Sequence, residues 1–230
     1  MTEAEWLPGT DPQKLLECLH GKASDRKLRL LACAFCRRLW GQLRDRGREA
    51  VEVAERFAEG RARDKERRAV WRAAREEAGG LSVSRRSRAA GSHVSAGECD
   101  AAYAASYAPC TAAFYAALYT GLNGCGGSAG RRSKRELKAQ CELVREVFGN
   151  PFRPLALASV WRTADVARLA GAAYEERTLP AGTLDNHRLA VLADALEEAG
   201  CADAELLGHL RDPGPHVRGC WALDLLLGRS

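Results

Sequence analysis

Apolar residues in this chain return every three or four positions, and no segment alternates convincingly every two. Leu28, Leu31, Ala32, Phe35 and Leu39 form one such stripe; Ala50, Val53, Ala54 and Phe57 a second; Leu137, Cys141, Val144 and Phe148 a third; Leu189, Leu192, Leu196 and Ala199 a fourth. A stripe of that period puts one face of a helix into a core, whereas a half-buried strand needs alternation by twos. The expected fold is therefore all-α, a multi-helix bundle or an irregular, solenoid-like array of about eight to ten helices in hairpins. At 230 residues and 46% hydrophobic, the chain has enough apolar surface to close such a core.

Start and stop residues divide the pattern into segments. Asp11-Pro12 is an N-cap followed by proline at the first helical position, Ser24 and Thr163 are further caps, and Gly21, Gly60 and Gly200 are stops. A charged helix is expected over 64–78, with Val70 and Trp71 as its large apolar residues, and another over 131–148. A short helix follows over 203–210, and after the turn "DPGP" a last one over 216–227. Residues 79–97, rich in Ser, Arg and Gly, read as an exposed linker. The expected organisation is a basic helical layer over 1–78, the linker over 79–97 and a second layer over 98–230, with one continuous domain as the alternative.

Residues 101–119 carry no charge, yet alanine and tyrosine with Ser106, Pro109 and Thr111 lack the Leu, Ile, Val and Phe that drive insertion into lipid. A buried helix kinked at Pro109 is expected there, and no membrane partner. The start, "MTEAEWLPG", is acidic and has no apolar run behind it, so a cytoplasmic protein is expected. Nine cysteines at irregular spacing fit reduced, buried thiols better than a disulfide framework.

Charge is unevenly spread. Between Lys22 and Ala90 stand twenty Lys/Arg against ten Asp/Glu, while the rest of the chain has fifteen against twenty. Arg61, Arg63, Arg67 and Arg68, followed by Arg85, Arg86 and Arg88 in the Ser-rich stretch, are the type of sequence that neutralises nucleic-acid phosphates. Trp71 is the sole aromatic between Phe57 and Tyr103, so stacking on single strands has little support. The glycine-rich "TGLNGCGGSAG" ahead of Arg131 and Arg132 could cradle an anion, but it lacks the P-loop lysine pattern and reads better as a solvated loop. Its Gly126–Gly130 also matches G-x-S-x-G, a motif that works only on a strand-to-helix turn absent from a helical chain.

Metal and nucleophile patterns are sparse. Cys33 and Cys36 have C-x-x-C spacing with no second pair, inside an apolar helix. His216 and Cys220 are one helical turn apart on the expected last helix, with Asp224 a turn further; such a face supplies two ligands, and His187 or His209 would have to arrive from elsewhere in the fold. Asp194, Glu197, Glu198, Asp203 and Glu205 read as solvated helix faces. No metal or cofactor is expected.

The stretch "FGNPFRP" over 148–154 breaks the helical pattern with a Gly-Asn cap and two prolines. It should fix the angle between the helical layers, with Phe148 and Phe152 as packing pegs and Arg153 free to meet a carboxylate of the C-terminal layer or of a ligand. With "TDPQKLLECLHGKASDRKLRLLACAFCRRLW", "REAVEVAERFAEG", "LADALEEAGC" and "GPHVRGCWALDLLLG", this stretch resembles a planctomycete-type bacterial family of uncharacterised proteins that occur as many paralogues in one genome. The resemblance covers most of the chain, least over 79–135, and implies no reaction or cofactor; the multiplicity of paralogues implies recognition of varied partners. A non-enzymatic, protein-binding adaptor is thus the leading expectation, and a nucleic-acid-associated protein the alternative.

Overall fold

The computed structural model describes residues 1–80 and 129–229, with the backbone alone at residues 42, 75, 77–80 and 129–133. Among the described residues are ten α-helices: α1 (Glu3–Trp6), α2 (Pro12–Cys18), α3 (Asp25–Arg38), α4 (Asp45–Ala58), α5 (Asp64–Gly80), α6 (Ala129–Phe148), α7 (Ala164–Glu175), α8 (Asn186–Glu198), α9 (Ala204–Arg211) and α10 (Trp221–Leu227). The fold is all-α, as the periodicity requires. Most of the expected linker, the Ala/Tyr helix and nearly all of the glycine-rich loop, including Ser128, lie outside the described residues. No helix among the described residues is long and apolar enough to cross a membrane.

The caps Asp11, Ser24 and Thr163 sit where the sequence places them: the Asp11 carboxylate accepts the N–H groups of Gln13 and Lys14 at 3.0 and 3.4 Å, Ser24 accepts from Lys27 and Thr163 from Val166. Asp203, expected inside its helix, is instead its cap and accepts from Leu206. Each satisfies a backbone donor that the first helical turn leaves open. A two-stranded antiparallel hairpin pairs Arg177–Thr178 with Thr183–Leu184, an addition that the search for long alternation could not detect.

Two apolar clusters form. In the first, Leu31, Phe35, Ala50, Ala54 and Val70 from α3 to α5 enclose Trp6 and Leu15, and Cys141, Val144 and Val147 of α6 complete it. In the second, Leu189, Leu192 and Leu196 of α8 meet Val166, Ala170 and Tyr174 of α7, Leu206 and Leu210 of α9, and Leu223 of α10. Helix α6 packs on α2 and α3, so it joins the N-terminal layer. Among the described residues the chain passes from the first cluster to the second at "FGNPFRP", and Val217 returns to the first.

That stretch is built from its own residues. Gly149 has φ +64°, and its N–H closes the end of α6 on the Arg145 carbonyl at 2.7 Å. A Cβ there would stand 3.0 Å from the Trp221 ring, so both its backbone geometry and its bareness are needed. The Asn150 side chain accepts the Phe152 N–H at 3.0 Å and donates to Glu3 at 2.7 Å. Arg153 meets the same Glu3, at 2.6 Å, so its carboxylate comes from α1 and not from the C-terminal layer. Phe148 is half-buried against the first core, whereas Phe152 is 36% exposed, edge-on to Trp6; only the first is a peg.

Charged side chains cross the seam between the cores. Arg26 of α3 grips Asp224 of α10 through two bonds of 2.8 and 3.0 Å, and donates to Glu59 and to the Tyr174 hydroxyl, which itself donates to Glu59. Glu55 of α4 takes Arg37 at 2.5 Å and Arg177 of the hairpin at 2.9 Å, and Arg37 also donates to the Pro180 carbonyl at 2.8 Å.

Asp224 is 1% exposed, and its loss would take from Arg26 and Lys27 the carboxylate they share, leaving Arg26 with Glu59 and Tyr174 and Lys27 with the Val147 carbonyl. Asp224→Ala should lower stability by about 1.5–3 kcal/mol in urea denaturation, the range for hydrogen bonds to charged groups. Burial alone would raise the Glu55 carboxyl, but the hydrogen bonds and charge of Arg37, with Arg177 behind it, outweigh burial and hold it below the ordinary 4.5. A carboxylate so depressed stabilises the fold above its unfolded value and ceases to do so as pH falls through its folded one. Glu55→Gln should thus unfold at lower urea than the native chain at neutral pH, and the two midpoints should converge as the pH is taken below 4.5.

Candidate metal centre

The last turn of α6 carries Glu146 and the last turn of α9 carries His209. Between α9 and α10 the chain makes an irregular loop over 212–220 that delivers His216 and Cys220. The expected last helix from His216 is corrected here: it starts only at Trp221, because Pro213 and Pro215 interrupt the chain and Gly214 and Gly219 adopt φ +84° and +88°. His216 and Cys220 are therefore not partners on one helical face. They meet because the loop folds back, its His216 carbonyl accepting the Leu184 N–H of the hairpin at 2.9 Å.

One potential ligand atom from each of Glu146, His209, His216 and Cys220 lies within 4.8 Å of all the others. Among the described residues this is the one grouping of its kind. Glu146, His216 and Cys220 are buried and His209 is partly so. His209 Nε2 is 3.2 Å from Cys220 Sγ and 3.3 Å from Glu146 Oε2, while His216 Nδ1 is 3.1 Å from Glu146 Oε2. A tetrahedron with 2.0–2.1 Å bonds to nitrogen and oxygen has edges of about 3.3–3.4 Å, and a 2.3 Å bond to sulfur gives a nitrogen–sulfur edge of about 3.6 Å, so the three separations lie within a few tenths of an ångström of those a zinc-sized ion needs.

Proton bookkeeping makes the arrangement chemically specific. His216 Nε2 is 2.9 Å from the Asp212 carbonyl, which can only accept, so Nε2 carries the hydrogen and a neutral ring turns the lone pair of Nδ1 toward Glu146. A backbone carbonyl on the far nitrogen is the usual outer partner of a metal-bound histidine. Glu146 is itself an acceptor, already taking the Val217 N–H on Oε1 at 3.2 Å. His209 Nε2 faces two acceptors with at most one proton to give when neutral. Either extra protons or a cation must reconcile these groups.

Burial disfavours charge on His216, but the hydrogen bond and charge of Glu146 and the Asp212 carbonyl outweigh it, and its pKa rises above 6.5. His209 moves below 6.5, chiefly through burial. Burial, reinforced by Glu146, pushes the Cys220 thiol well above 9.0, against the pull of the Leu223 and Ala222 N–H groups at the start of α10. Without an ion these directions favour a thiol at Cys220, a neutral ring at His209 and a proton shared between His216 and Glu146. A divalent charge reverses that preference at sulfur.

Glu146, His209 and His216 line an open cleft of about 380 Å³ walled by Trp6, Leu7 and Trp221. Trp221 packs on the His209 ring at 5.0 Å, and His216 stands edge-on to His209 at 5.0 Å.

The singled-out arginines whose side chains are described do not converge here. Arg61 is paired with Glu175, Arg68 with Asp64 at 2.6 Å, and Arg67 with the same Asp64 while buried over the Phe57 ring. Arg63 is exposed, and its carbonyl opens α5. Arg131 and Arg132 belong to the first turn of α6, with side chains outside the described part, and Arg85, Arg86 and Arg88 lie outside it altogether. Cys33 and Cys36 are buried core thiols, Asp194 and Glu197 bind Arg211, and His187 is exposed at the start of α8. Sequence reasoning missed Glu146. The available signal was a carboxylate three residues after Leu143 and one before Val147, on the face that α6 buries. No family model, curated protein or solved structure matches the chain.

Proposed function

We propose that this chain is a metal-binding helical protein that holds a divalent ion, zinc by the mixture of thiolate, imidazole and carboxylate, on Glu146, His209, His216 and Cys220. The observation that carries the proposal is convergence: potential donor atoms of Glu146, His209, His216 and Cys220, brought from α6, α9 and the 212–220 loop, lie within 4.8 Å of one another, with three of the four residues buried. An ion among the four donors would tie α6, whose apolar face belongs to the first core, to α9 and α10 of the second.

The adaptor and nucleic-acid readings rank behind it. Exposed Leu7, Val160 and Leu179 are single apolar residues of an ordinary surface. Four of the ten arginines expected to bind a partner, namely Arg61, Arg67, Arg68 and Arg153, are each held by a carboxylate of the chain itself.

Elemental analysis of the full chain, purified without chelator, should find about one zinc per molecule, with Cys220→Ser and His209→Ala each reducing it well below stoichiometric. Native chain that carries no metal and takes up none on dialysis against zinc refutes the assignment.

Gly214 offers a separate check that leaves all four donors in place. A Cβ on it would stand 2.6 Å from the His216 backbone nitrogen at a φ of +84°. Gly214→Ala should therefore displace His216 and weaken zinc affinity by about 10- to 100-fold, the size of effect seen when support around a ligand is lost, as measured by competition with a chromogenic chelator.

A further inference from the structure

Resting on that metal reading, we propose that the ion keeps a side open to the cleft and that the cleft binds a small ligand carrying a protonated amine beside an oxygen or nitrogen donor, as at the amino terminus of a peptide or an amino-acid amide. The four donors are not equally placed. Cys220 is fully buried, behind the site, whereas the other three residues line the 380 Å³ cleft, so an ion among them would have a protein floor and a solvent-facing side. That volume is at the lower end of small-molecule pockets. Glu146 is suited to yield a coordination position: the Val217 N–H holds its Oε1 at 3.2 Å, so Oε2 can release an ion without the carboxylate leaving the site.

The walls select for charge. Glu142 stands one helical turn before Glu146 on α6, and Glu205 one turn before His209 on α9, which places a carboxylate outward of each of two ligands along the same helix face. Asp212 adds a third carboxylate to the lining. Against these stand the Arg145 guanidinium, which keeps its charge while donating to the Trp6 and Gly9 carbonyls, and the 73% exposed Lys138 ammonium, which pairs with Glu142 at 3.7 Å; the carboxylates still outnumber them and leave the lining net negative. Trp6, Leu7 and Trp221 provide an apolar wall for a hydrocarbon side chain. A ligand with a cationic amine, a donor atom and an apolar group answers all three features.

The test uses the full chain loaded with cobalt(II), whose near-ultraviolet thiolate band reports Cys220 and whose visible bands report coordination number. Leucinamide and its N,N,N-trimethyl derivative, which keeps the charge but has no nitrogen lone pair to chelate cobalt, should both change the visible bands, half-saturating at about tenfold lower concentration than N-acetyl-leucinamide, which has the same carbonyl donor and side chain but no charge. Glu142→Gln combined with Glu205→Gln should abolish that preference while leaving the thiolate band intact. A normal thiolate band with visible bands unmoved by leucinamide would overturn the open cleft and leave the metal site standing. Equal effects of the charged and the acetylated amides on the native chain would overturn the charge selection. Absence of the thiolate band would sink both readings together.

Discussion

Two hydrophobic cores in this molecule meet along a polar seam, and the relative placement of everything else follows from how that seam is neutralised. Within each core the contacts are apolar and non-directional, and they would tolerate sliding of one layer on the other. The seam would not. Arg26 engages Asp224, Glu59 and Tyr174 from three different helices, and a planar guanidinium satisfies such partners in a narrow range of positions. Glu55 fixes the hairpin through Arg177 in the same manner. Buried pairs of this type contribute less to net stability than to defining one arrangement, since each charge left unpartnered in a shifted register would be costly.

The four-donor cluster lies on the same seam. It differs from the ion pairs in what it brings together: Arg26 and Asp224 carry fixed charges, while two imidazoles, a thiol and a carboxylate can share either a proton or an ion.

Much of the fold was legible because helices are specified locally. Asp11, Ser24, Thr163 and Asp203 act through atoms within three residues of themselves, and the stripes on α3, α4, α6 and α8 need no knowledge of their partners. The hairpin was invisible because a two-residue strand carries no period to detect. The loop over 212–220 was misjudged because the apolar content of "HVRGCWALDLLL" continues a helical pattern that Gly219 ends by backbone conformation alone. Half of the candidate site, His216 and Cys220, drew notice through spacing that turned out not to be helical. Its other half is a matter of tertiary position. Nothing near Glu146 in the sequence connects it to residue 216, and a lone histidine between Leu206 and Leu210 reads as a helix end.

The stretch "FGNPFRP" takes its meaning from this arrangement. It stops α6 two residues after Glu146, which leaves that carboxylate in the last turn, and its Gly149 makes room for the Trp221 ring. Trp221 follows Cys220 directly and packs against His209, so the ring spans two of the three candidate donors that come after "FGNPFRP" while resting on the helix end that carries Glu146. Two sequence blocks that looked separate, one proline-rich and one near the end of the chain, thus meet through a glycine and a tryptophan. A side chain at 149 would push Trp221 away and, with it, the helix whose first N–H groups face the Cys220 sulfur. The turn is architectural, and what it builds is the geometry of the four donors.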